Sequence, residues 1–224
     1  MHGRETDMDN QQSAPALRWL AIGNSLTRHG ITSFWWNDIG MAATTAEHDY
    51  VHLVTAYLRT RCGSVTVETF NFADWERGAA GVPLDRTAQL PQLDAYLAGQ
   101  PRLITVQLGE NAVDLTTFTA DTEALLRYLR DKAPDAALLL IDDFWSPEKG
   151  DMKQTAAERC GVPFVSLARI KGDPACLCGL GTTVYDASGC PHTVEHPGVA
   201  AHPGDRGMRC IADGIIAALE RLSL

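Results

Sequence analysis

The sequence predicts an α/β domain in which a parallel sheet of five strands lies between two layers of helices, a three-layer α/β/α sandwich. Five short runs rich in Val, Ile and Leu recur along the chain, as expected for strands that are covered on both faces. Segments with helical spacing separate these runs, and right-handed crossovers then make the sheet parallel. The runs cover residues 17–23, 64–70, 102–108, 136–144 and 162–167.

Helical segments are predicted where apolar residues recur every three or four positions. A capping box of Thr44 and Glu47 predicts the start of the first helix, because each side chain can bond the backbone N–H of the other residue. The apolar stripe of that helix is Val51, Val54 and Leu58. The last helix is predicted over residues 206–222, with a stripe of Met208, Ile211, Ile215, Leu219 and Leu222. Asp205, directly before it, is predicted to be its N-cap.

Residues 17–224 are predicted to form a single domain, preceded by a polar leader of residues 1–16 that we expect to be poorly ordered. The chain has 224 residues, 45% of them hydrophobic, and no repeat or change in composition marks a second domain. The leader lacks the apolar stretch of a secretory signal, and no later run approaches the length of a membrane span. We therefore expect a cytoplasmic protein with no membrane partner.

The charge balance argues against nucleic acid as a partner. Lys and Arg number 19 against 28 Asp and Glu, and the basic residues form no run that could track a phosphate backbone. The six cysteines are expected to be reduced thiols, since the chain has enough core without disulfides. Cys176, Cys178, Cys190 and His192 leave a metal-dependent hydrolase as an alternative, although their spacing matches no common zinc motif.

Three polar residues stand where the chemistry of such a fold is expected, outside the carboxyl ends of the strands. Ser25 follows the first predicted strand, Asn111 follows the third, and His202 precedes the last helix. A neutral imidazole could accept the serine proton, and the asparagine could donate to the oxygen that becomes charged when an acyl carbonyl is attacked. Each residue also has a structural alternative, as a helix cap or as a surface turn residue.

The three pieces, in this order, resemble the blocks of the SGNH/GDSL hydrolase family. They are Gly23-Asn24-Ser25, Gly109-Glu110-Asn111 and His202-Pro203, and the resemblance spans about residues 17–222. It implies a flavodoxin-like sandwich and a serine esterase that uses neither metal nor other cofactor. The implied roles are nucleophile and oxyanion donor for Ser25, oxyanion donor for Asn111 and base for His202.

The chain departs from the family pattern at two points. The aspartate expected three residues before the histidine is absent, and Val199 occupies its position. Glu195 could swing towards His202, or a main-chain carbonyl could hold the Nδ1 proton and leave a Ser-His dyad, which is the interpretation we favour. The family's glycine after the second strand, whose N–H donates to the oxyanion, has no unique counterpart in residues 71–78.

Five further residues are candidates for the site: Asn24, Trp35, Trp36, Glu76 and Glu110. Asn24 stands beside the serine. The two tryptophans could stack on a sugar ring or clamp an acyl chain, and the packed edge of a lid is their structural alternative. The two glutamates fall near predicted strand ends and could touch substrate, although acids in such loops are usually solvated or bonded to backbone N–H groups.

The sequence therefore predicts a serine hydrolase that cleaves an ester. The expected partner is a small-molecule ester, with an acetyl ester of a carbohydrate preferred on the strength of the paired tryptophans. A lipase or thioesterase and a non-catalytic carbohydrate-binding protein are the alternatives, because a fold does not by itself give a function. The oligomeric state is not predicted.

Overall fold

Five parallel strands form the central sheet of the protein, in the order β2-β1-β3-β4-β5. The structure is a computed structural model that describes residues 16–78 and 83–222. The strands are β1 Leu17–Gly23, β2 Val65–Asn71, β3 Leu103–Gln107, β4 Ala137–Ile141 and β5 Phe164–Val165. The predicted α/β fold is confirmed, and each predicted strand is present. Residues 1–15 of the predicted leader, residues 1–16, lie outside the described residues.

Burial along the strands follows their place in the sheet. Every residue of β3, which has a neighbour on each side, is buried, whereas residues of the edge strand β2 are mostly partly buried or exposed. A strand covered on both faces favours apolar residues, and the two buried polar residues of β3, Thr105 and Gln107, form side-chain hydrogen bonds with Trp19 and Glu110. The final strand, β5, is shorter than predicted.

Helices cover both faces of the sheet. They are α1 Tyr50–Cys62, α2 Ala73–Arg77, α3 Asp94–Leu97, α4 Phe118–Lys132, α5 Pro147–Cys160, α6 Pro197–Ala200 and α7 Asp205–Arg221. Helices α1 and α7 pack together on one face, and α4 and α5 pack together on the other. The predicted stripe of α7 is buried except for its last member, Leu222, which is exposed. The result is the three-layer sandwich that the sequence predicts.

Two predicted helix caps are wrong. The N-cap of α1 is Asp49, whose Oδ1 accepts the His52 N–H at 2.7 Å, so the box of Thr44 and Glu47 does not start this helix. The N-cap of α7 is Gly204, and Asp205 is the first helical residue. The Asp205 carboxylate instead accepts the backbone N–H and the hydroxyl of Thr44, at 2.8 and 2.7 Å. It thereby ties the start of α7 to the loop before α1.

A two-stranded hairpin that the sequence did not predict lies in the irregular stretch before α7. It consists of β6 Thr183–Tyr185 and β7 Pro191–Thr193. The main chain before it is bonded to residues 201–204, the loop between α6 and α7 that we call the histidine loop, because the Cys178 N–H donates to the His202 carbonyl at 2.9 Å.

All six cysteines are free thiols. Within residues 16–78 and 83–222, no helix has both the length and the apolarity to cross a membrane.

Candidate active site

Ser25, Asn111 and His202 line one pocket of about 260 Å³ at the carboxyl edge of the sheet. Ser25 lies two residues beyond β1 in a tight turn, in which the Asn24 carbonyl accepts the N–H of Thr27 at 3.0 Å. Only glycine fits at position 23, because a Cβ there would lie 1.7 Å from the Thr27 hydroxyl oxygen. The turn therefore depends on Gly23 and presents Ser25 to the pocket.

The serine and histidine side chains are hydrogen-bonded. Ser25 Oγ lies 2.9 Å from His202 Nε2, and His202 Nδ1 lies 2.6 Å from the Gly198 carbonyl oxygen. A carbonyl can only accept a hydrogen bond, so this contact requires the proton on Nδ1 and leaves Nε2 as the acceptor for the serine hydroxyl. The structure thus brings together a serine and a histidine in the tautomer that a general base needs.

Burial shapes the acidity of this histidine. Burial is the main reason that the pKa of His202 is lowered to about 4; the hydrogen bond to the Gly198 carbonyl opposes this shift, and the neighbouring His29 and His196 contribute to it. The imidazole is therefore neutral, and able to accept a proton, throughout the neutral pH range.

Aromatic rings and a short helix hold the histidine loop in place. The His196 side chain caps α6 by accepting the Gly198 N–H at 3.1 Å, and its ring stacks on Phe34 at 4.3 Å between centroids. Trp145 packs edge-on against His202 at 5.3 Å and donates its indole N–H to the Ala201 carbonyl at 3.1 Å. Each of these contacts fixes the segment that carries the Gly198 carbonyl and the imidazole.

Phe34, which adjoins the two predicted tryptophans, lines the pocket, and so does Trp145, which the sequence analysis missed. Trp145 follows β4, so the rule that located Ser25 and Asn111 at strand ends could also have found it. Trp35 is instead a core residue with no exposed surface and cannot contact a substrate in this pocket. Trp36 stacks on His192 at 4.5 Å and does not line the pocket.

The Asn111 side of the pocket, where the sequence predicts an oxyanion donor, is built around buried acids. Asn111 lines the pocket, and its Nδ2 donates to Glu76 Oε2 at 2.6 Å. Asn24 is buried, and its Nδ2 lies 3.0 Å from Glu76 Oε1 and 2.7 Å from Glu110 Oε2. Glu76 is itself fully buried, so the expectation of a substrate contact through Glu76 does not fit its position.

Glu110 lines the pocket and is surrounded by donors. Besides Asn24, the Gln107 carboxamide and the Phe144 N–H donate to its carboxylate. Burial and the nearby carboxylates of Asp143 and Glu76 raise the pKa of Glu110 to about 7.

Solved structures similar to this chain share its fold. A putative GDSL-like lipase from Bacteroides ovatus has a TM-score of 0.60 at 12% identity, over 93% of this chain and 100% of that one. TesA has a TM-score of 0.57 at 16% identity, over 92% and 99%. A two-domain esterase active on acetylated mannans has a TM-score of 0.56 at 16% identity. The match covers 92% of this chain but only 49% of the length of that protein. No protein-family model and no curated protein sequence matches the chain.

The chain has the SGNH/GDSL hydrolase fold. The position at which this family carries an aspartate holds Val199, which is buried. Glu195 is exposed and does not line the pocket, and the acceptor for Nδ1 is the Gly198 carbonyl. In this chain the hydrogen-bond acceptor beside His202 Nδ1 is therefore a main-chain oxygen and not a carboxylate.

In the region after β2, where the SGNH/GDSL pattern has a glycine, Ala73 lines the pocket. This residue begins α2, and its N–H donates to Asn71 Oδ1 at 3.1 Å. Gly78, the one glycine in residues 71–78, does not line the pocket.

The cysteine set does not assemble into a metal site. Cys176 is buried against α7, Cys190 is exposed, and His192 Nε2 pairs with Asp186 Oδ2 at 3.0 Å. Among the described residues, no three His, Cys, Asp or Glu side chains are grouped as metal ligands.

Proposed function

We propose that this protein hydrolyses carboxylic esters with a Ser-His dyad, Ser25 as nucleophile and His202 as general base. The contact that carries the proposal is the 2.9 Å hydrogen bond between Ser25 Oγ and His202 Nε2, in a pocket at the carboxyl edge of the sheet. The Gly198 carbonyl supports it, because it holds the imidazole in the tautomer whose Nε2 accepts a proton.

The reaction runs in two steps. His202 Nε2 takes the hydroxyl proton as Ser25 Oγ attacks the acyl carbonyl, and the imidazolium then gives that proton to the departing alkoxide. Water attacks the acyl-enzyme in the second step, with His202 again as base, and releases the acid. The developing oxyanion is stabilised by Asn111 Nδ2–H and by the Ser25 N–H, which donates to no carbonyl of the described residues.

The preferred substrate is a small acyl ester of a carbohydrate, such as an acetyl ester. A pocket of about 260 Å³ suits a short acyl group better than a long chain. Polar side chains at its mouth, among them Asn71, Arg77 and His29, can bond hydroxyl groups, and Trp145 and Phe34 offer apolar ring faces to a sugar. One similar structure is of an esterase active on acetylated mannans.

The first experiment compares ester hydrolysis by the native protein with that by Ser25→Ala and His202→Ala. With p-nitrophenyl acetate, we expect each variant to lose at least about 10³-fold in kcat/KM, as removal of a nucleophile or its base does in serine hydrolases. Ser166→Ala is the matched control, because this exposed serine follows β5 and does not line the pocket. A fluorophosphonate probe should label the native protein on Ser25.

Equal rates in the native protein and both variants would refute the proposal. Binding of acetylated oligosaccharides without turnover, unchanged in Ser25→Ala, would instead indicate a carbohydrate-binding protein. A series of p-nitrophenyl esters tests the acyl preference, and we expect kcat/KM to fall as the acyl chain lengthens beyond what the pocket holds.

A further inference from the structure

Glu76 is a fully buried acid that no step of the proposed reaction uses. It lies on α2, the short helix that follows β2, and its side chain points at the loops that follow β1 and β3. Within the described part of the chain, no Lys, Arg or His lies within ion-pair distance of its carboxylate. Hydrogen bonds are therefore the direct contacts that compensate the burial of this group.

Four N–H groups donate to the Glu76 carboxylate. Oε1 accepts Asn24 Nδ2 at 3.0 Å, the Asn111 backbone N–H at 3.3 Å and the backbone N–H of Gly109. Oε2 accepts Asn111 Nδ2 at 2.6 Å. One side chain thus connects the turn that presents Ser25 with the turn that presents the oxyanion donor.

The chemistry of a carboxylate decides how the Asn111 side chain is oriented. A carboxamide can turn over and exchange its oxygen and nitrogen, and both orientations have nearly the same shape. A carboxylate only accepts hydrogen bonds, so Oε2 can bond the nitrogen end but repels the oxygen end. With one hydrogen of Nδ2 held by Glu76, the other remains available as a donor in the pocket.

We propose that Glu76 is the positioning residue of the oxyanion site. It selects the donor orientation of Asn111 and keeps the Ser25 and Asn111 turns in register. The inference rests on the proposed function, and it assigns Glu76 a role through Asn111 rather than through the substrate. Asn24 extends the same network, because its Nδ2 also lies 2.7 Å from Glu110 Oε2.

The test is a double-mutant cycle between Glu76→Gln and Asn111→Ala, measured with p-nitrophenyl acetate. Glutamine has the same shape, but an amide nitrogen at the Oε2 position would face Asn111 Nδ2, donor against donor. We expect Asn111→Ala to lower kcat by about 10²-fold, as for the loss of one oxyanion donor. Glu76→Gln should lower kcat by roughly 10-fold with little change in KM, a usual size for coupling within one hydrogen-bond network.

The double variant separates positioning from a general structural role. If Glu76 acts through Asn111, adding Glu76→Gln to Asn111→Ala should cost at most about 2-fold more, because the side chain that it orients is gone. Losses that multiply, or Glu76→Gln with native kcat, would overturn the inference. Native activity in Ser25→Ala would instead overturn the proposed function, so the two failures are distinguishable.

Two further variants control for folding. Asp142→Asn also removes a buried carboxylate at the end of a strand, where it pairs with Lys171 at 2.7 Å, and it should leave kcat unchanged. Glu76→Asp keeps an acceptor-only group on a shorter side chain and serves if Glu76→Gln does not fold. The proposal expects Glu76→Asp to retain more kcat than Glu76→Gln, whereas a purely packing role predicts the opposite order.

Discussion

The two sides of the pocket are held by different means. On the oxyanion side, the turns of Ser25 and Asn111 are bonded to a buried carboxylate, Glu76. On the base side, His202 is bonded to a main-chain carbonyl and packed against the ring of Trp145. The first side depends on the identity of a few polar side chains, and the second depends on the path of the backbone through α6.

This difference bears on how the base works. A carboxylate beside Nδ1 would stabilise the imidazolium with a full charge, whereas a carbonyl offers only a dipole. Burial therefore dominates, and the pKa of His202 falls to about 4. A less basic imidazole accepts the serine proton less readily, but its imidazolium returns the proton to a leaving alkoxide more readily. In the proposed dyad, the lowered pKa therefore favours protonation of the leaving group over deprotonation of the serine.

The largest expected effect on the base side is an acid-tolerant pH profile. At pH 5, a pKa of about 4 leaves roughly 90% of His202 neutral, whereas an ordinary value of 6.5 would leave roughly 3%. We therefore expect kcat/KM for an acetyl ester at pH 5 to remain near its value at pH 6, roughly 30-fold above what an ordinary histidine would give. A discontinuous assay of released acid measures this. A fall in kcat/KM with a midpoint near pH 6.5 that persists in Glu110→Gln would contradict the lowered pKa of His202.

The fall in kcat/KM at acid pH must be distinguished from acid unfolding and from the titration of other groups in the pocket. Because the folded pKa of His202 is depressed, the unfolded chain binds the proton first, and stability is lost as the pH falls from 6.5 towards 4. Thermal unfolding at each pH checks that the protein remains folded.

His29 and His196 also line the pocket, and the pKa of Glu110 is about 7. Glu110→Gln should remove a change near pH 7 and leave the acid limb in place.

A smaller effect is expected when the backbone acceptor is disturbed. A Cβ at Gly198 would lie 2.9 Å from His196 Cε1 and 3.0 Å from its Nδ1, so the ring must leave its cap and its stack on Phe34. We expect Gly198→Ala to lower kcat roughly 5-fold, well short of the about 100-fold that a full 1 Å displacement can cause. Gly30→Ala is the control, because a Cβ there meets open space. An unchanged kcat would mean that the carbonyl tolerates movement.

The sequence predicted the side of the site that depends on side chains. The serine, the asparagine and the histidine stand at strand ends or before a helix, and each pattern is visible in the chain. A main-chain acceptor for His202 Nδ1 was the favoured interpretation, but the sequence could not identify the carbonyl, because a main-chain carbonyl has the same chemistry in every residue type. Glu76 was found as a candidate, but its burial and its contact with Asn111 depend on how the loops after three strands meet.

The smallest expected effect is at Glu195, the acid that the sequence left as an alternative to the carbonyl. Its side chain is exposed and outside the pocket. We expect Glu195→Gln to change kcat/KM by less than about 2-fold at pH 7, as for an ordinary surface substitution. Glu158→Gln, on the exposed part of α5, is a matched control. A loss of more than 10-fold in kcat/KM would mean that Glu195 reaches His202 Nδ1 during turnover and displaces the Gly198 carbonyl. The protein would then work as a Ser-His-Glu triad, and the dyad would be only its resting state.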